Sequence, residues 1–145
     1  MSALKNLNIE TVYLHPGEIC VSKKPRRVIT VLGSCVSITM FNPRLQVGAI
    51  CHGTLPRCRA RKECDGPCIE AFKFMDCSIK YMLGRFREYG IMNDEIETKV
   101  FGGADTLVSK SSNSIGSQNV KITLDIISKE KLRVIAADRL AVAGE

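Results

Sequence analysis

The chain has 145 residues, of which 45% are apolar and 25% are charged, a composition typical of a globular protein. Its apolar runs are too short to cross a bilayer and its N-terminus lacks the apolar segment of a secretion signal, so we expect a cytoplasmic protein without membrane insertion. Seven cysteines, an odd number without a secretion signal, disfavour a disulfide framework and leave buried thiols, a metal site or a nucleophile. The net charge of +6 favours an acidic partner, either nucleic acid or an acidic protein surface.

Short strands are predicted through the first part of the chain. Residues 19–22 predict a strand, residues 23–27 form a basic exposed turn, and the β-branched run at 28–32 predicts a buried strand. Gly33 and Ser34 interrupt that run.

Residues 35–41 and 46–52 predict two antiparallel strands joined by a turn at 42–45, whose Asn-Pro-Arg-Leu sequence has good turn chemistry. With that turn as the loop, Val36 lies opposite Cys51 at one end of a continuous apolar face. A continuous apolar face is the pattern that fixes strand register.

The same register places Cys35 directly opposite His52 on the other face, with Cβ atoms roughly 4.5–5.5 Å apart. A thiol attacks a carbonyl carbon as the thiolate, and a neighbouring imidazole can act as its base. Gly33 and Ser34 allow a tight turn that exposes the sulfur and leaves backbone N–H groups free to stabilise an oxyanion. The pair predicts a cysteine hydrolase; the alternative is a buried thiol near a hydrogen-bonded strand-end histidine.

A long helix is predicted after a loop at residues 53–65. Asp65 is its candidate cap, Pro67 lies in its first turn and Gly90 ends it. Large apolar residues recur at helical spacing in between: Ile69, Phe72, Met75, Ile79, Met82 and Phe86.

The last part of the chain predicts a strand at 97–101, a second helix that begins at Ser114 or Ile115, and a final strand at 132–137. One face of the second helix carries Val120, Thr123, Leu124 and Ile127. We therefore expect an α+β fold, a mostly antiparallel or mixed β-sheet sandwich with helices packed on its outer faces. No repeat or low-complexity linker divides the chain, so we expect a single domain over residues 1–145.

Two motifs, Leu32-Gly33-Ser34-Cys35-Val36 and His52-Gly53-Thr54-Leu55-Pro56, resemble CheD, the chemoreceptor glutamine deamidase family of bacterial chemotaxis. The resemblance extends over roughly residues 12–138 in the order of the family. Three more stretches carry it: Leu14-His15-Pro16-Gly17-Glu18, Gly102-Gly103-Ala104, and Ile115-Gly116 with Asn119-Val120. The combination is specific, although no single piece of it would be.

The resemblance implies a Cys-His-Thr triad in which Cys35 is the nucleophile, His52 is the base and Thr30 orients the imidazole. A β-forming residue in a core strand is the alternative for Thr30, and a tight loop or a helix turn is the alternative for the glycines and Asn119. The substrate-binding residues implied near the catalytic ones are Ser34, Gly102, Gly103 and Asn119.

The implied reaction is hydrolysis of glutamine side-chain amides to glutamate through a thioester, on the cytoplasmic helices of chemoreceptors, without metal or cofactor. A CheC-type phosphatase is implied as a further partner. Two other classes stay open, a non-catalytic regulatory binding module of the chemotaxis system and a cysteine-ligated metal or redox protein.

The cysteine-rich loop has no counterpart in this resemblance. Cys58, Cys64 and Cys68, with Cys51 as a fourth ligand, lack the paired C-x2-C spacing of common zinc sites, so we predict no metal there. The basic residues at 57–62 have no aromatic residues among them for base stacking, which favours a surface that faces solvent or a protein partner over a nucleic-acid site.

Overall fold

The computed structural model describes residues 8–58, 71–104 and 114–138. In these ranges the strands are β1 Glu10–Tyr13, β2 Ile19–Ser22, β3 Arg26–Ile29, β4 Val36–Asn42, β5 Val47–Cys51, β6 Glu97–Gly102 and β7 Arg133–Asp138. The α-helices are α1 Met75–Glu88 and α2 Ile115–Lys129, and short 3-10 helices lie at Ala71–Lys73 and Asn93–Glu95. None of the helices in the described ranges is long and apolar enough to span a bilayer.

Five strands form one mixed sheet in the order β2-β5-β4-β6-β7. The central strand β4 is antiparallel to both of its neighbours, whereas β7 lies parallel to β6 after the crossover through α2. β1 and β3 form a separate parallel ribbon. The predicted α+β class and mixed sheet are confirmed, and the single domain over residues 1–145 stays a prediction.

Alternate side chains of the central strands turn to one face of the sheet, where both helices cover them. On β4 this face consists of Val36, Ile38 and Met40, all at most 1% exposed. The apolar stripe predicted for α1 packs against it with fully buried side chains: Met75, Ile79, Met82 and Phe86. Burial of each such side chain contributes about 1.5–3 kcal/mol, so this face of the sheet is the main source of stability.

The start of α1 differs from the prediction. The helix begins at Met75 after the extended residue Phe74, because this segment pairs with Leu55: the Leu55 N–H donates to the Lys73 carbonyl and the Met75 N–H donates to the Leu55 carbonyl. Backbone pairing therefore overrides helix formation here. The predicted cap and first turn, Asp65 and Pro67, lie outside the described residues.

On α2 the prediction is wrong for Leu124, which is 46% exposed, and Ile122 is buried instead. At about 100° per residue, Ile122 and Leu124 lie on opposite sides of the helix face that is centred on Thr123. Packing against α1 and the sheet buries the Ile122 side and leaves the Leu124 side exposed.

The predicted buried strand at residues 28–32 is also wrong. β3 ends at Ile29, which is 45% exposed, and Val31 is 70% exposed. Among the described residues β3 pairs with β1 alone, a short partner that the sequence did not reveal, so the β-branched residues of β3 lie outside the five-stranded sheet.

Candidate active site

The loop between β4 and β5 falls one residue later than predicted. Asn42 pairs with Val47 and closes the loop, and its side-chain Oδ1 accepts the Leu45 N–H at 2.8 Å. Gln46 completes the loop with φ +55°, a left-handed conformation uncommon for a residue with a side chain. This shift slides the strand register by two residues and keeps every side chain on its predicted face.

The register sets the relation of Cys35 to His52. Val36 exchanges both backbone hydrogen bonds with Gly53, at 3.0 and 2.9 Å. Cys35 and His52 flank that pair as diagonal neighbours on one face, a relation that separates residues by roughly 7–8 Å. Ser37 takes the position directly opposite His52. The prediction that Cys35 directly opposes His52 is therefore wrong, although the two side chains do share a face.

Thr30 orients the imidazole of His52. Its Oγ1 lies 2.7 Å from His52 Nδ1 and 2.7 Å from the carbonyl oxygen of Leu14. A carbonyl oxygen only accepts, so the single hydroxyl proton of Thr30 is committed to Leu14. Thr30 must then accept the Nδ1–H of His52, which leaves Nε2 unprotonated. The structure thus places Thr30 beside His52 as the resemblance implied, and its contribution to catalysis stays a prediction.

The backbone of His52 is held by a preceding loop. The His52 N–H donates to the Glu18 carbonyl at 3.2 Å, and its carbonyl accepts the Gly17 N–H at 2.8 Å. The side chain is almost completely buried, and this burial lowers the pKa of the imidazole. The imidazole of His52 is therefore a neutral base that carries its proton on Nδ1.

Cys35 is half-buried and lies immediately before β4. Burial raises the pKa of its thiol, an effect that the backbone N–H of Cys35 partly opposes. The resting thiol is therefore protonated and needs a base to become a nucleophile. In the described part of the chain no backbone carbonyl accepts the N–H of Ser34 or of Cys35, and the Cys35 N–H faces its own thiol, so both groups are available for an oxyanion once the sulfur attacks.

Gly102 and Gly103 brace the turn that carries Cys35. The Gly103 N–H donates to the Cys35 carbonyl at 2.8 Å, and the Ala104 N–H donates to the Gly33 carbonyl at 2.9 Å. Both glycines have positive φ, and a Cβ on Gly102 would collide with the Cys35 carbonyl oxygen. The geometry gives this pair a supporting role, and direct contact with substrate stays a prediction.

Asn119, in the second turn of α2, connects the segment before Cys35 with the segment after His52. Its Nδ2 donates to the carbonyl of Ser34 at 3.0 Å and to the carbonyl of Thr54 at 3.1 Å. These bonds tie the turn before Cys35 to the segment after His52. Both amide hydrogens are used by these bonds and the side chain is fully buried, so the amide nitrogen of Asn119 has a positioning role, whereas its Oδ1 has no partner among the described residues. Its predicted contact with substrate, like that of Ser34, stays a prediction.

The described cysteines outside this site, Cys20, Cys51, Cys58 and Cys77, show no metal geometry. Cys51 is fully buried in the core, as predicted, and burial raises the pKa of its thiol to about 12. Within the described ranges, no three side chains of His, Cys, Asp or Glu gather closely enough to hold a metal ion. Cys64 and Cys68 lie outside those ranges.

A half-buried thiol shares one strand face with an imidazole whose tautomer a hydroxyl fixes, beside free N–H groups. These are the features of the cysteine-hydrolase class. The model of the family described as CheD chemotactic sensory transduction matches residues 55–144, and the chain belongs to that family.

Individual relatives are similar in sequence to most of this chain. A protein of Geobacter sulfurreducens named probable chemoreceptor glutamine deamidase CheD 2 is 44% identical over 128 residues, which cover 88% of this chain and 75% of the relative. A probable chemoreceptor glutamine deamidase CheD of Maridesulfovibrio salexigens is 35% identical, with 90% of this chain and 80% of the relative covered.

Proposed function

We propose that this protein hydrolyses glutamine side-chain amides of chemoreceptors to glutamate. The observation that carries the proposal is the contact between Thr30 and His52, which presents an unprotonated Nε2 on the same face as Cys35. The relatives named as chemoreceptor glutamine deamidases supply the substrate class.

The first half of the proposed reaction forms a thioester. The Cys35 thiol gives its proton to His52 Nε2, and the sulfur attacks the carboxamide carbon. The N–H groups of Ser34 and Cys35 stabilise the resulting oxyanion. As the carbon–nitrogen bond breaks, Nε2–H protonates the leaving nitrogen and ammonia departs.

The second half hydrolyses the thioester. A water gives a proton to His52 Nε2 while its oxygen bonds to the carbonyl carbon, and the carbon–sulfur bond then breaks. The Cys35 sulfur takes the proton back from Nε2, which restores the enzyme and releases glutamate. Every proton in this scheme moves between side chains, substrate and water, so we propose no metal and no other cofactor.

Surface charge supports an acidic protein partner. Residues 23–27 are exposed and contain four basic side chains. Arg26 and Arg85 border a cleft of about 540 Å³ whose apolar wall includes Leu14 and Ile19. We propose that this side of the molecule contacts the cytoplasmic helices of a chemoreceptor, that a CheC-type phosphatase is a further partner, and that the protein works in the cytoplasm.

The test is mass spectrometry of a purified chemoreceptor cytoplasmic fragment after incubation with the enzyme. Wild type should convert specific glutamines to glutamate, and Cys35→Ala should abolish the conversion. Cys77→Ala is the matched control, since Cys77 is another half-buried cysteine, lies on α1 and does not line the proposed contact cleft. Retained conversion by a folded Cys35→Ala variant would contradict the proposal.

A further inference from the structure

Three buried polar atoms near the turn that carries Cys35 have no hydrogen-bond partner among the described residues: Ser37 Oγ, His52 Nε2 and Asn119 Oδ1. Of these, Ser37 and His52 lie on the same strand face as Cys35. Both side chains are almost completely buried, Ser37 being 1% exposed and His52 2%. Buried hydroxyl and imidazole groups in proteins are nearly always paired with protein or with water. Two unpaired groups in one place therefore indicate that a small polar ligand belongs between them.

The strand register sets these two groups against each other. Val36 and Gly53 exchange both backbone hydrogen bonds, so the next pair along the strands, Ser37 and His52, is a non-hydrogen-bonded pair. In such pairs the side chains come closest, with Cβ atoms roughly 4.5–5.5 Å apart. Cys35 precedes Ser37 by one strand repeat and lies on the same face.

The chemistry of the two groups suits a water molecule. His52 donates its Nδ1–H to Thr30, so Nε2 can only accept a hydrogen bond while the imidazole is neutral. Ser37 can donate its hydroxyl proton. A water that donates to Nε2 and accepts from Ser37 keeps one lone pair free, and that lone pair is the nucleophile needed to hydrolyse a thioester on Cys35.

We infer that Ser37 and His52 together bind the hydrolytic water of the second half-reaction, an inference that rests on the proposed function. The water proton moves to Nε2 as its oxygen bonds to the thioester carbon. The carbon–sulfur bond then breaks, and the sulfur takes the proton from Nε2. Ser37 takes no part in the attack of Cys35 on the amide, so its loss should slow hydrolysis of the thioester and leave its formation unchanged.

Competition between water and hydroxylamine for the thioester tests this inference. Water yields glutamate and hydroxylamine yields the hydroxamate, and mass spectrometry of a chemoreceptor cytoplasmic fragment gives the ratio of the two products. Ser37→Ala removes a buried group without a partner, so the fold should tolerate it. Thr39→Ala is the matched control, because Thr39 lies on the same face of β4 and pairs with Ile50.

We expect the ratio of hydroxamate to glutamate to rise by about tenfold in Ser37→Ala, the effect of losing one hydrogen bond to the attacking water. Thr39→Ala should keep the wild-type ratio. An unchanged ratio in Ser37→Ala, or an equal fall of both products, overturns the inference while the proposed function stands. If the wild type forms neither product, the proposed function fails and the inference fails with it.

Discussion

Replacing Thr30 by valine removes one hydroxyl and nearly preserves the shape of the side chain. That hydroxyl bonds the Leu14 carbonyl and the Nδ1–H of His52, each at 2.7 Å. Without it, Nδ1 has no acceptor and the imidazole is free to carry its proton on Nε2. An imidazole with the proton on Nε2 cannot accept the proton of Cys35 there. The variant should therefore lose activity because His52 no longer serves as the base.

The size of the effect follows from the two lost contacts. A hydrogen bond contributes about 0.5–1.5 kcal/mol to stability, and a buried group left unpaired costs about 1–3 kcal/mol. We therefore expect Thr30→Val to lower the free energy of unfolding by about 2 kcal/mol, which corresponds to a fall in Tm of roughly 4–8 °C. Loss of the tautomer preference should reduce kcat/KM by about 10–100-fold, since 1.4 kcal/mol of barrier is tenfold.

Deamidation of a chemoreceptor fragment, followed by mass spectrometry at a temperature where all variants are folded, measures this effect. Thr30→Ser is the matched control because it keeps the hydroxyl, and we expect its activity to stay within about threefold of wild type. Full activity in Thr30→Val would refute the tautomer argument and return Thr30 to a structural role. Equal losses in the serine and valine variants would also refute it, since packing would then explain both.

Four further predictions concern the same molecule. Because burial lowers the pKa of His52, the acidic limb of the kcat/KM profile should lie below 6.5, the ordinary imidazole value; a limb above it would contradict a neutral buried base. Asn119→Ala should lower the free energy of unfolding, measured with urea, by about 2–3 kcal/mol because the Ser34 and Thr54 carbonyls lose their donor. Asn119→Asp also lacks the donor and should lower it by as much. Wild-type stability in either variant would show that these two hydrogen bonds are dispensable. Receptor turnover should fall as salt rises, since exposed charges such as those at residues 23–27 are screened within about 8 Å at physiological ionic strength, and free glutamine should not be turned over; comparable ammonia release from free glutamine would contradict a protein substrate. Turnover should survive a strong chelator, and a loss reversed by added zinc would reveal a metal requirement.

The sequence by itself determined which side chains share a face. Strand side chains alternate with a period of two, so the apolar pattern around Val36 put Cys35 and His52 on the same face whatever the loop length. The stripe from Met75 to Phe86 likewise determined the buried side of α1, because helical spacing alone defines it. The family motifs, which are also local, pointed to Cys35 and His52 as the candidate nucleophile and base.

Only the tertiary structure decided the distances between these groups. The register depends on the loop, where Asn42 bonds both the Leu45 N–H and, from a distant segment, the Glu95 carbonyl. The bridge from Asn119 to Ser34 joins residues 85 positions apart. The tautomer of His52 likewise depends on Thr30, which directly follows β3 and is 22 positions away in the sequence. Local sequence specifies periodicity and turn chemistry, whereas contacts between distant segments form only when the whole core packs, which is why no local pattern could reveal them.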